Sequence, residues 1–128
     1  MDERIAALLG HPPVKLPAEI ATPGAAVEFL LARLADAALL PFGSVVQLAA
    51  ELLARPCGIG REIALPRIKC SDVERIVGVI GYHPGISWPT PDGHPVRAVV
   101  LILQPLGSSL AQLREIQQAL EAFQTQGQ

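Results

Sequence analysis

An α/β layer domain, with helices packed on both faces of a small sheet, is the fold class that this sequence predicts. Three observations carry it. Apolar residues make up 50% of the chain and charged residues only 17%, a balance that fills an interior and argues against disorder. The apolar share is Ala, Leu, Ile and Val, with little aromatic contribution, which suits helices over a sheet of branched side chains. The patterning then runs helix, helix, strand, strand, strand, helix, the order of a layered α/β domain. At 128 residues the chain reads as a single domain, 1–128, large enough for a core of its own.

Ile5 to Leu9 reads as a short helix or N-terminal arm, closed by Gly10-His11-Pro12-Pro13. Val14-Lys15-Leu16 alternates and predicts a short strand. Thr22-Pro23 starts a helix, because the hydroxyl caps it and the proline stands where its missing N–H costs nothing. Val27, Leu30, Leu31, Leu34 and Ala38 recur at helical spacing, so this helix is predicted to run to about Leu40, ahead of Pro41 and Gly43. Ser44 is expected to cap a second helix with Val45, Leu48, Ala49, Leu52 and Leu53 inward. That helix ends near Arg55-Pro56, since the residue before a proline avoids helical geometry.

The stretch Cys57 to Lys69 organises the rest. Gly58 and Gly60 predict a hinged loop that allows positive φ or close backbone approach. Ile63, Ala64 and Leu65 predict a short buried strand. Pro66 cannot donate to a ladder, so sheet pairing is expected to stop there, displaying Arg67. A polar turn from Lys69 to Glu74 leads to Ile76-Val77-Gly78-Val79-Ile80, an apolar run that fits a strand covered on both faces.

His83-Pro84-Gly85 and Pro89-Thr90-Pro91-Asp92-Gly93 predict loops, with His83 and His94 in solvent and Trp88 anchoring its loop to the core. Val96 to Leu103 is the longest predicted strand, closed by Pro105 and Gly107. Ser109 to Gln112 has the form of a capping box. Leu110, Leu113, Ile116, Gln117, Leu120 and Phe123 then predict the inner stripe of a final helix, and Gln124 to Gln128 a polar tail expected to fray.

Several classes are set aside by composition. The net charge of −2 offers no basic footprint for nucleic acid. Met1-Asp2-Glu3-Arg4 is acidic where a leader would be basic, and no long apolar span follows, so no membrane insertion is expected. Cys57 and Cys70 are read as free thiols in a reducing cytoplasm. They have no metal-ligand spacing with His11, His83 or His94. Neither a metal nor a cofactor is expected.

From Gly58 to Pro66 the chain resembles the IIA domains of the fructose–mannitol class of the phosphoenolpyruvate sugar phosphotransferase system, with the nitrogen-regulatory IIA proteins. That family carries G-I-G-x-x-I-A-[IL]-P-H, whose histidine accepts a phosphoryl group. Asp92-Gly93-His94-Pro95-Val96 is similar to the family's D-G-x-P-V stretch, and the helix after Thr22 falls where the family has its first long helix. The resemblance implies a three-layer α/β/α domain with a small mixed central sheet. Departures accompany the likeness. Arg67 stands where the histidine should be. Ser108, Ser109 and Leu110 occupy the region of a second family histidine, and Glu51 to Arg55 keeps no Arg-Glu pair. The family's last helix is expected to be shortened or absent.

The first departure decides the chemistry. A neutral imidazole can carry a phosphoryl group reversibly. A guanidinium stays protonated, with its lone pairs delocalised, and cannot. The resemblance therefore implies a degenerate IIA domain, regulatory or interaction-forming, whose partners are other proteins such as a phosphocarrier or a regulatory target. Two alternatives stand beside it. A phosphocarrier could use His94 or His83 instead. A small-anion sensor could bind through Arg67 and Lys69, with Gly58 and Gly60 shaping the loop. A homodimer completing the apolar side of the last helix is a further expectation.

Overall fold

The computed structural model describes residues 2–126. A six-stranded sheet lies between two pairs of helices. Its strands are β1 (Val14–Lys15), β2 (Gly58–Gly60), β3 (Ile63–Ala64), β4 (Arg67–Cys70), β5 (Val77–Ile86) and β6 (Val96–Pro105), in the order β1-β5-β6-β3-β2 with β4 also on β6. β5 and β6 pair antiparallel, as do β2 and β3, whereas β1 on β5 and β3 and β4 on β6 are parallel. The sheet is mixed and the architecture α/β/α, as expected.

β6 shows why three layers form. Val99, Leu101 and Leu103 face the core made with α2 (Pro23–Asp36) and α3 (Val45–Leu53). Ala98, Val100 and Ile102 face the core made with α1 (Asp2–Leu9) and α4 (Leu110–Gln126). An unbroken apolar run on a period-two strand supplies both faces at once, which only a doubly covered strand can bury.

The helices follow their signals, with corrections. Thr22 caps α2 through Oγ1, which accepts the Ala25 N–H at 3.1 Å. α2 ends at Asp36, earlier than the expected Leu40, because Ala38 turns left-handed at φ 61°. The Leu39 N–H then reaches back to the Leu34 carbonyl at 2.9 Å and Ala38 to Ala35 at 3.0 Å, the paired closure of a helix C-terminus. Ser44 stands at the N-terminal boundary of α3, but its hydroxyl makes no capping bond there. It lies in a one-turn 3₁₀ helix, Phe42–Ser44, and its Oγ donates instead to Asp72 Oδ1 at 2.6 Å. Across the capping box of α4, the Gln112 N–H donates to Ser109 Oγ and the Ser109 N–H to Gln112 Oε1, both at 3.2 Å.

α4 buries Ile116, Ala119, Leu120 and Phe123 within this chain, while Leu110 is exposed and Gln117 lies outside the stripe. Its backbone is helical through Gln126, past Gln124 where the tail was expected to begin. Residues 127–128 of that tail lie outside the described residues.

Two loop expectations fail. Pro66 does not end the pairing: β3 and β4 lie along β6 in one continuous register, Ala64 opposite Val99 and Arg67 opposite Ile102. The Pro66 carbonyl still accepts the Ile102 N–H at 2.9 Å, so the ring removes one donor and the ladder resumes. His83-Pro84-Gly85 is likewise inside β5. Tyr82 pairs with Ala98 and Ile86 with Val96, so the surplus residues bulge out of an intact strand.

Candidate functional site

The glycine stretch forms a hairpin. β2 turns into β3 through Arg61 and Glu62, both left-handed at φ 56° and 65°. Side chains rarely accept that conformation, and two tethers hold it. The Arg61 N–H donates to Asp92 Oδ2 at 2.8 Å. The Glu62 carbonyl accepts the N–H groups of Arg97 and Ala98 at 2.8 and 3.1 Å, and its carboxylate pairs with Arg97 Nε at 2.9 Å. A Cβ on Gly58 would overlap the Pro89 carbonyl oxygen, so glycine is required there by backbone approach. Gly60 sits at φ 89° over the Asp92 carboxylate.

Arg67 follows on β4, half-buried in the sheet and not on a displayed loop. Alternation puts Arg67 and Lys69 on one face, while Ile68 between them packs into the α2–α3 core. Arg67 Nε donates to Gln104 Oε1 at 2.7 Å. Gln104 is 3% exposed and its amide nitrogen has no partner among the described residues. Because a guanidinium only donates, this bond fixes which end of the amide faces Arg67.

A groove of about 580 Å³ opens beside this pair, between the end of α3 and β4. Its walls are Glu51, Arg55, Arg67, Lys69 and Gln104 over Leu52, Ala54 and Ile68, and they do not include Gly58 or Gly60. The sequence reading missed Gln104, Arg55 and Glu51. Gln104 had a signal: it is the polar residue that closes the apolar run from Ala98 to Leu103. Arg55 had none, since it reaches the groove from another element.

The histidines sit elsewhere. His83 is buried, correcting the solvated expectation: Nδ1 accepts the Gly85 N–H at 2.9 Å and Nε2 lies 3.3 Å from the Ala18 carbonyl. Both ring nitrogens are engaged, as in a core histidine. His94 is exposed, and its backbone is tied into the Asp92 turn. Neither histidine lines the groove of Arg67.

Asp92 holds that turn, accepting from Arg61 N–H, His94 N–H and Thr90 Oγ1. The Arg61 N–H first, and the others after it, keep its carboxyl below the usual aspartate range. Burial pushes the Cys57 thiol up, opposed by a hydrogen bond with Trp88, whose ring is 7% exposed as a loop anchor should be. Burial likewise raises the Cys70 thiol, and both cysteines are free. Among the described residues no cluster of His, Cys, Asp and Glu could hold a metal ion, and no helix is long and apolar enough to cross a membrane.

Likeness to known proteins is confined to solved structures. No protein-family model matches the chain, and no curated protein matches it. The nitrogen regulatory protein IIA-Ntr from Neisseria meningitidis superposes with a TM-score of 0.67 at 21% identity, over 83% of this chain and 73% of that one. Mannitol IIA from Escherichia coli gives 0.66 at 19% identity, over 84% and 79%. The mannitol-specific cryptic phosphotransferase enzyme IIA CmtB from Escherichia coli gives 0.67 at 12% identity, over 95% and 83%. The fold is therefore that of the phosphotransferase-system IIA domains. More narrowly, it is the type shared by the mannitol and nitrogen-regulatory IIA proteins.

Proposed function

We propose that this chain is a IIA-like interaction domain that does not accept a phosphoryl group at the position its fold class uses. One observation carries the reading. The strand that follows Gly58-Ile59-Gly60 leads through Pro66 to Arg67, whose Nε is already engaged by Gln104. A guanidinium there is a permanent cation and no nucleophile. His83 supports no substitute role, because both of its nitrogens face backbone partners.

What remains is a surface for proteins. A mannitol IIA domain of this fold has been captured with phosphorylated IIB from Escherichia coli, so the fold supports docking to a protein partner. In this chain such docking would persist unswitched, since position 67 carries the same charge whatever the phosphorylation state of the cell. We place that activity in the cytoplasm. Incubation with phosphoenolpyruvate and the general phosphotransferase proteins tests the reading: an unshifted intact mass is expected, and a phosphoryl adduct on a histidine would overturn it.

A further inference from the structure

The groove beside β4 sets Arg55, Arg67 and Lys69 against a single carboxylate, Glu51. None of these three cations is in an ion pair among the described residues. Gln104 holds Arg67 by Nε at 2.7 Å, which leaves the two Nη groups as a planar fork matched to an oxyanion. The same bond orients the Gln104 amide nitrogen, which is buried and without an acceptor among the described residues. Buried donors are nearly always satisfied, so this one marks a place where an acceptor is missing.

We propose that the groove binds a small phosphate monoester reversibly. Arg67 forks the phosphoryl oxygens, Lys69 and Arg55 supply charge from either side, and Gln104 is a positioning residue that fixes the guanidinium. A dianion suits a wall with two more cations than carboxylates, and about 580 Å³ leaves room for the organic part of the ester. No covalent step is involved, so this site stands whether or not a histidine can be phosphorylated.

Amide NMR titration at fixed ionic strength tests it, with inorganic phosphate and then glycerol phosphate as probes. Saturable shifts centred on Arg67, Lys69 and Gln104 are expected, tighter for the ester. Arg67→Gln and Lys69→Ala, at accessible positions, should each weaken binding ~10-fold or more. Gln104→Leu should weaken it and broaden the Arg67 Nε–H resonance; unchanged affinity and resonance would remove Gln104 from the site. No saturation through the tens-of-millimolar range, or equal shifts in Arg67→Gln, would overturn the proposal. Acetate binding as tightly as phosphate would overturn the phosphoryl assignment.

Discussion

Arg67 Nε donates to Gln104 Oε1 at 2.7 Å, binding a half-buried cation of β4 to a buried amide on the neighbouring strand. The pair is lopsided, since one end of the amide is satisfied and the other has no partner among the described residues. Arg67→Met would orphan both ends and is expected to destabilise the domain by about 1–3 kcal/mol. Adding Gln104→Leu should recover most of that loss, because an apolar side chain leaves no buried polar group. Urea unfolding of the two single variants and the double variant checks this. Additive losses would show that the two residues are not coupled.

Ala38 closes α2 in a left-handed conformation at φ 61°, where a Cβ costs about 1–2 kcal/mol and glycine costs about 0.5–1 kcal/mol in chain entropy. Ala38→Gly should therefore stabilise the fold by about 0.5–1 kcal/mol. A lowered midpoint in thermal unfolding would contradict the helix ending drawn here.

Gly58 lies under the Pro89 carbonyl, with no space for a methyl group. Gly58→Ala must push apart the hairpin and the loop that carries Trp88. The expected cost is about 2–3 kcal/mol, read as a lower denaturant midpoint together with increased exposure of Trp88 in fluorescence. Wild-type stability in this variant would show that the approach is looser than described.

Asp92 gives the fold an acid dependence whose sign follows from its hydrogen bonds. Its carboxyl is held below the ordinary range by the Arg61 N–H first, then by His94 N–H and Thr90. The contribution to stability is therefore complete above the unfolded value, roughly pH 4, and is lost as pH falls through the lower folded value. Asp92→Ala should be less stable than wild type at neutral pH, with the two converging in acid. Melting temperatures across that range check it; a gap that does not change with pH would contradict it.

Much of this was legible in the sequence, and the failures share a cause. Thr22, the α2 stripe and the Ser109–Gln112 box are local signals, and local signals place helices. The missing donor of Pro66 is a local stop signal, yet its carbonyl still joins the ladder to Ile102. His83-Pro84-Gly85 consists of turn-forming residues, but β5 absorbs them in a bulge against β6. The family resemblance singles out Arg67 as a departure, an expectation that the phosphorylation assay below tests. The surroundings of Arg67 were not legible, because Gln104 arrives from β6 and Arg55 from the end of α3. No spacing within one segment encodes that convergence.

Under the proposed function, no residue of this chain takes up a phosphoryl group. The most direct test is intact-mass analysis after exposure to phosphoenolpyruvate and the general phosphotransferase proteins, with the sample kept neutral so that a phosphohistidine survives. The account predicts an unmodified chain under conditions that fully load a IIA domain bearing the histidine. A phosphoryl group on His83, His94 or His11 would contradict it.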